Sequence, residues 1–349
     1  MARCSRSAGR YPEGVAAQSS ATRRELDITN EAASALAGSA DATLRELERT
    51  LDATITLRGN RVILEGEPDA VAAAGAVIQE IVLLSERGVT PEPDAIERIA
   101  GGVAKHESAA ALHDDVIWKG RTMRVAPKTP GQRAYVNAIR HNTVTFGIGP
   151  AGTGKTFLAV ALAASALAER RVQRILLTRP AVEAGERLGF LPGDLMAKVD
   201  PYLRPLFDAL HDMLGAEKVA SYLEKGQIEV APLAFMRGRT LNDSFIIVDE
   251  AQNTTQEQMK MVLTRLGFGS KMVITGDTSQ VDLPRGTRSG LLSAQRILDG
   301  VDDIGMITFN SDDVIRHKLV RRIVDAYDAD DAERERQAAQ RRAERAAGD

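Results

Sequence analysis

The sequence predicts an α/β protein, in which a mostly parallel sheet covered by helices on both faces follows a small α+β module. Three observations carry this reading. Continuous apolar runs recur at residues 144–148, 174–178, 227–231, 245–248, 272–275 and 305–309, and helical stretches separate most of them. Strands buried on both faces and alternating with helices form parallel sheets. A glycine-rich turn joins the first run to an apolar helix, and residues 53–66 alternate apolar and polar positions around Arg58-Gly59-Asn60-Arg61, as a β-hairpin does.

Taken in order, residues 1–26 mix Ser, Ala, Gly and Arg without periodicity and read as a disordered leader. Residues 27–90 form the small module. Leu44, Leu47, Glu48 and Leu51 have helical spacing; Ile55 and Leu57, then Val62 and Leu64, alternate as hairpin strands. Ala70, Ala74, Val77, Ile78, Ile81 and Leu84 mark one side of a following helix. Residues 91–125 are broken by Pro91, Pro93 and Gly101-Gly102 and read as a connector with short helices. Residues 126–327 hold the sheet. Residues 328–349, with seven acids and five arginines among alanines, read as a solvated charged tail.

Composition narrows the classes of function. The 349 residues carry 45 Lys+Arg against 48 Asp+Glu, a net charge of −3, so any nucleic-acid binding must use a local patch rather than a whole-chain basic field. At 44% apolar the chain can build a sizeable core. Its one cysteine, Cys4, excludes a disulfide framework and a cysteine-rich zinc site and suits a reducing compartment. The longest apolar runs noted, such as 157–168, are too short and Ala-rich to span a bilayer, so no membrane partner and a cytoplasmic location are expected. Aromatics are only 4%, too few to support a base-stacking platform by count.

Gly149-Pro150-Ala151-Gly152-Thr153-Gly154-Lys155-Thr156 fits G-x-x-x-x-G-K-[ST] in full, between a strand and a helix. The chemistry needs these residue types. Glycines let backbone N–H groups turn inward around phosphates, and the helix N-terminus adds a positive dipole end. Lys155 supplies a cation to the β- and γ-phosphates of ATP, and the Thr156 hydroxyl suits Mg²⁺. The run 245–248 leads into Asp249-Glu250, two carboxylates at the C-terminal end of a buried strand, where open α/β sheets bind ligands. Asp249 is the second candidate for the metal; Glu250 is the candidate for orienting the attacking water. The pair also fits a simple helix cap before Ala251-Gln252. Gln280, in Gly276-Asp277-Thr278-Ser279-Gln280, is placed to reach the γ-phosphate or the water, with Asp277 able to meet a cation; an ordinary turn is the other reading. Gln132 starts a helix upstream, and its amide can bond an adenine edge in both directions.

After the last strand, Arg316, Arg321 and Arg322 are predicted to face outward while Val314, Leu319 and Ile323 pack inward. An arginine aimed at a γ-phosphate stabilises the transition state, and these three are candidates; a solvated basic face is the alternative. Arg179, Arg187, Arg204, Arg237, Arg239, Arg285 and Arg288 fall after strands or in loops, at the nucleotide edge where polymer-translocating ATPases hold their strand.

The run Thr178-Arg179-Pro180-Ala181-Val182-Glu183-Ala184-Gly185-Glu186-Arg187-Leu188-Gly189-Phe190-Leu191-Pro192-Gly193-Asp194 resembles the PhoH family of P-loop ATPases. Asp249-Glu250-Ala251-Gln252-Asn253, Gly276-Asp277-Thr278-Ser279-Gln280-Val281-Asp282-Leu283-Pro284 and Ser289-Gly290-Leu291 look like the same family. The likeness covers about 126–327, and 27–87 looks like the KH-like module of those PhoH-like proteins that partner an endoribonuclease. No PIN nuclease domain is evident. The resemblance implies a RecA-like P-loop NTPase core related to superfamily 1 helicases, ATP and Mg²⁺ as cofactors, and single-stranded RNA as a partner. By that likeness Gln132 stands for the adenine-reading glutamine and Gln280 for the third helicase motif. The G-x-x-G loop of KH modules does not occur between Leu44 and Leu84, which turns that module toward assembly.

These readings converge on an ATP-hydrolysing, RNA-associated remodeller. The alternative is a nucleotide-gated scaffold for a ribonuclease partner, with slow turnover. A metabolite kinase is disfavoured, because no Arg-rich lid adjoins the P-loop helix and Asp249-Glu250 suits water as nucleophile. A single core of about 200 residues, followed by the basic cluster, predicts a homo-oligomeric ring, a hexamer by preference, in which an arginine of one copy completes the site of the next.

Overall fold

The computed structural model describes residues 22–120, 123–180, 195–284 and 286–315, with interrupted positions between 319 and 337. The chain divides into two compact units, 1–108 and 109–349.

The first unit holds strand β1 (Thr22–Asp27), helices α1 (Asn30–Ala37) and α2 (Ala42–Thr50), strands β2 (Ala53–Arg58) and β3 (Arg61–Gly66), and helices α3 (Pro68–Glu86) and α4 (Ile96–Ala104). The strands form an antiparallel sheet in the order β1-β3-β2. The hairpin pairs Arg58 with Arg61 across a two-residue turn, and Gly59 supplies its positive φ of 58°. Ile55, Val62 and Leu64 are buried, as are Val77, Ile78 and Ile81 of α3, and that helix packs on β2 and β3. At 19 residues, α3 is long and apolar enough to cross a membrane by length and composition; it packs against α1, β1 and β3 as a core helix.

Two expectations are corrected in this unit. Residues 22–26 are not leader: they pair along β3 from Thr22–Gly66 to Asp27–Arg61. The strand escapes pattern reading because it is an edge with charged residues on both sides of the pleat, held by its ladder and by pairs such as Arg61–Asp27 at 3.3 Å. Likewise 91–125 is not one connector. Ile96 and Ile99 are buried, α4 packs on α2 and α3, and the break between units falls after Ser108.

The second unit begins with α5 (Ala109–Asp114) and the short ribbon β4 (Trp118–Lys119) and β5 (Arg124–Val125). Then come α6 (Pro130–His141), β6 (Val144–Ile148), α7 (Lys155–Ala168), β7 (Arg174–Arg179), α8 (Leu195–Leu214), α9 (Ala216–Glu224) and β8 (Ile228–Pro232). It closes with β9 (Ser244–Val248), α10 (Gln256–Leu263), β10 (Lys271–Gly276), α11 (Gly290–Ile297) and β11 (Ile304–Thr308). The six strands foreseen from apolar runs form one sheet, every neighbouring pair parallel, in the order β11-β6-β10-β9-β7-β8.

Side chains alternate across the pleat into two cores. Ile175, Leu177, Phe245, Ile247 and Val273 meet α6, α7 and α8 on one face. Phe146, Leu176, Ile246, Val248, Met272 and Ile274 meet α10 and α11 on the other. Such a sheet, with β10 inserted between β6 and β9, is a RecA-like P-loop core. Its crossovers bring the C-terminal ends of β6, β7, β9 and β10 to one edge, and the polar residues of the sequence analysis lie there.

Of the inward packing expected after β11, Val314 is half-buried but the later residues do not follow it. Leu319 and Ile323 are 57% and 47% exposed, because both faces of the sheet are already covered.

Candidate functional site: the P-loop cleft

β6 is buried along its whole length and ends at Ile148, so Gly149 begins the turn at the sheet edge. Gly149 has φ 150°, and a Cβ there would sit 2.7 Å from the Phe309 carbonyl; Gly152 and Gly154 are also left-handed, at 86° and 77°. α7 starts at Lys155. The loop is braced from behind. Gly149 N–H donates to Gly276 O at 3.1 Å, Ala151 N–H to Asp277 Oδ2 at 3.2 Å, and Ile315 N–H to Gly152 O at 2.9 Å. Asp277, foreseen as a partner for a cation, is thus a brace, and its other oxygen accepts from Ser279.

Lys155 is buried, and its ammonium donates to the carbonyls of Gly149 (2.7 Å) and Pro150 (2.8 Å) and to Thr153 Oγ1 (3.2 Å). The Thr156 hydroxyl donates to Asp249 Oδ1 at 2.7 Å, and Thr275 Oγ1 donates to the same oxygen at 2.7 Å. Thr275 lies inside a strand, where no pattern flagged it. Hydroxyl and carboxylate oxygens are the hard donors Mg²⁺ takes alongside water and phosphate, so the residues fit that ion. Behind them Tyr135 is fully buried, its ring edge-on to Phe309; burial, and then the charge of Asp249, hold its phenol well above the usual range. It stays protonated and cannot serve as a base.

Glu250 follows Asp249 in a left-handed conformation, φ 51°. Its Oε1 lies 3.0 Å from Arg179 Nη2, and its Oε2 accepts from Gln252 Nε2 at 2.5 Å. Gln252 is itself fixed, donating to Gln280 O at 3.2 Å and accepting from Asp277 N–H at 3.0 Å. Gln280 is exposed and lines the cleft.

The cleft holds about 530 Å³ between the P-loop, Arg179, Asp249, Glu250, Gln280 and one side of α8. Asp208 and Asp212, one turn apart on α8, line it too. Neither is legible from pattern, because nothing in an amphipathic helix says which polar residues face a cleft.

Other candidates fall elsewhere. Gln132 is buried with both ends of its amide in use: Nε2 donates to Thr153 O at 2.9 Å, and Oε1 accepts from Lys128 N–H at 2.7 Å. In this arrangement it latches α6 to the P-loop rather than presenting a free amide to adenine. Arg239 is likewise engaged, in a bidentate pair with Glu229 of β8 at 2.6 and 2.7 Å, which holds the Glu229 carboxyl below its usual range. Arg237 and Arg288 are exposed in loops, and Arg204 is exposed on α8. Arg187, Arg285, Arg316, Arg321 and Arg322 lie outside the described residues.

The model of the PhoH-like protein family matches residues 124–328. The chain belongs to that family. It is 52% identical over 309 residues to a PhoH-like protein of Mycobacterium tuberculosis, covering 87% of each chain. The PhoH-like protein of Bacillus subtilis is 52% identical over 279 residues, 78% of this chain and 87% of that one. Protein PhoH of Escherichia coli is 43% identical over 208 residues, 59% of each. A solved Pif1 helicase from Candida albicans aligns over 56% of this chain and 42% of its own, with TM-score 0.31 and 14% identity. With the complete P-loop and the Asp249-Glu250 pair in register beside it, the second unit is a P-loop ATPase core of the PhoH type.

Proposed function

We propose that this PhoH-like protein is a Mg²⁺-dependent ATPase that works on RNA in the cytoplasm as a helicase-like remodeller. The observation that carries the chemistry is the meeting of Thr156 and Asp249 at 2.7 Å beside the P-loop, with Glu250 next along the chain. Lys155 and the loop N–H groups bind the triphosphate, and Thr156 and Asp249 would hold the ion. When bound, magnesium would offset the negative charge of the phosphates. Glu250 orients a water and takes its proton as the water oxygen bonds to the γ-phosphorus. The bond to the β–γ bridging oxygen breaks, and ADP and phosphate leave.

Exposed Arg288 in the loop after β10, and Arg179 within the cleft, support a polyanion partner. A second reading, a nucleotide-gated scaffold with slow turnover, is favoured by one feature: both carboxylate oxygens of Glu250 are engaged. Steady-state ATP turnover with and without single-stranded RNA separates the two. RNA stimulation that weakens with salt supports the remodeller, since phosphate contacts release counterions. A low rate that RNA does not change supports the scaffold.

A further inference from the structure

We propose that Arg179 is a positioning residue that restrains Glu250 and releases it when a phosphate group draws the guanidinium away. The inference rests on the ATPase reading above and adds a control to it.

Register makes the pairing. β7 and β9 are parallel neighbours with Thr178 opposite Val248, so the next residues, Arg179 and Asp249-Glu250, leave adjacent strands at the same edge. The left-handed backbone at Glu250 is uncommon for a residue with a side chain, and strain of this kind persists where the surroundings impose it. Here Arg179 holds Oε1 and Gln252 holds Oε2. A carboxylate that accepts a proton from water must offer that water an oxygen as the water oxygen attacks the γ-phosphorus and the bridging oxygen leaves with ADP. Each oxygen of Glu250 already has one partner, and the two together fix where its remaining lone pairs face.

The two restraints differ in kind. Gln252 is buried and tied to Gln280 O and Asp277 N–H, so it is a fixed part of the sheet edge. Arg179 ends a strand, lines the cleft, and its side chain is 22% exposed, so an anion in the cleft can reach it. A guanidinium pairs with phosphate as well as with carboxylate, in the same forked geometry. A phosphate of a polynucleotide therefore competes with Glu250 for Arg179. Binding is then coupled to turnover through one side chain.

The test is steady-state ATP turnover by the full-length protein, with kcat and KM separated, for Arg179→Ala, Arg179→Lys, Glu250→Gln and Arg179→Ala/Glu250→Gln. With Arg179→Ala, kcat should rise about five-fold with KM within about two-fold, the size expected for losing a partly exposed ion pair. Arg179→Lys keeps the cation but loses the fork, so its gain should fall between those of the wild type and Arg179→Ala, and the double variant should be as slow as Glu250→Gln, placing the gain on Glu250. Single-stranded RNA should accelerate the wild type and leave Arg179→Ala unchanged. RNA that acts on both proteins alike overturns the control by phosphate. Structural damage lowers kcat and does not raise it. A wild-type rate that depends on Lys155, together with an Arg179→Ala rate equal or lower, overturns the restraint alone. If neither protein hydrolyses ATP, the ATPase reading fails and the restraint with it.

Discussion

The Lys155 ammonium lies among three oxygens of its own loop, where phosphate oxygens would take their place. Lys155→Ala removes the cation that offsets triphosphate charge, and turnover should fall about 100-fold or more, measured as phosphate release. Full activity in that variant would remove the P-loop from the mechanism. Glu250→Gln keeps the shape and loses the base; ATP affinity should hold within a few-fold while hydrolysis slows about 100-fold. The Glu229–Arg239 pair makes a different forecast at the same scale. Arg239 holds the Glu229 carboxyl below its ordinary value of 4.5, so the pair's contribution to stability is present above that value. It is lost as pH falls through the folded value. Thermal denaturation of wild type and Glu229→Gln should therefore differ at pH 7 and converge as pH drops below about 4.5. A gap that persists unchanged at pH 3 would show that the ion pair is not its source.

At the scale of elements, the six core strands were legible because each is buried on both faces and must be apolar at every position. The turn after β6 was legible because phosphate binding dictates its glycines. What pattern could not reach is equally physical. β1 is an edge strand whose alternate residues both meet water, so burial leaves no signature, and its ladder to β3 is a backbone affair. α4 hides between Pro91, Pro93 and Gly101-Gly102, and only its packing on α2 and α3 reveals which side is apolar. The Arg239 pair and the Gln132 latch depend on contacts between residues 10 and 21 positions apart, beyond any helical or strand period. Gly147 is another such residue. It sits mid-strand in β6, and a Cβ there would lie 2.6 Å from the Tyr135 ring of α6, which is itself fully buried. The ring cannot move without leaving Phe309, so Gly147→Ala should cost about 1–3 kcal/mol by overpacking. That lowers the melting temperature by roughly 2–12 °C for a core of this size, read by calorimetry. An unchanged melting temperature would mean that α6 slides freely over the sheet.

At the scale of the whole molecule, one P-loop core offers one wall of a nucleotide site. Ile315 N–H is bonded to Gly152 O, so Ile315 itself lies against the P-loop. In sequence Leu319, Ile323 and Tyr327 recur every four residues, and they are 57%, 47% and 70% exposed. Arg316, Arg321 and Arg322 share that stretch of sequence. We propose that the apolar stripe seats on the next copy and carries one of these arginines to its nucleotide. The contact is heterologous, and repeated by rotation it closes a ring, a hexamer by preference. A complementation experiment decides it. Lys155→Ala protein lacks the loop cation but keeps its arginines; Arg321→Ala/Arg322→Ala protein keeps the loop and lacks the arginines. Each alone should be nearly inactive. If a site takes its loop from one copy and its arginine from another, mixing them in equal amounts assembles about a quarter of all sites from two intact halves, and about a quarter of the wild-type rate should return. Leu319→Asp/Ile323→Asp should abolish that rescue by keeping the copies apart, seen as a smaller species in analytical ultracentrifugation. If the mixture stays inactive while each variant remains assembled, or if wild-type protein keeps its full rate as a monomer at high dilution, each site is complete within one chain.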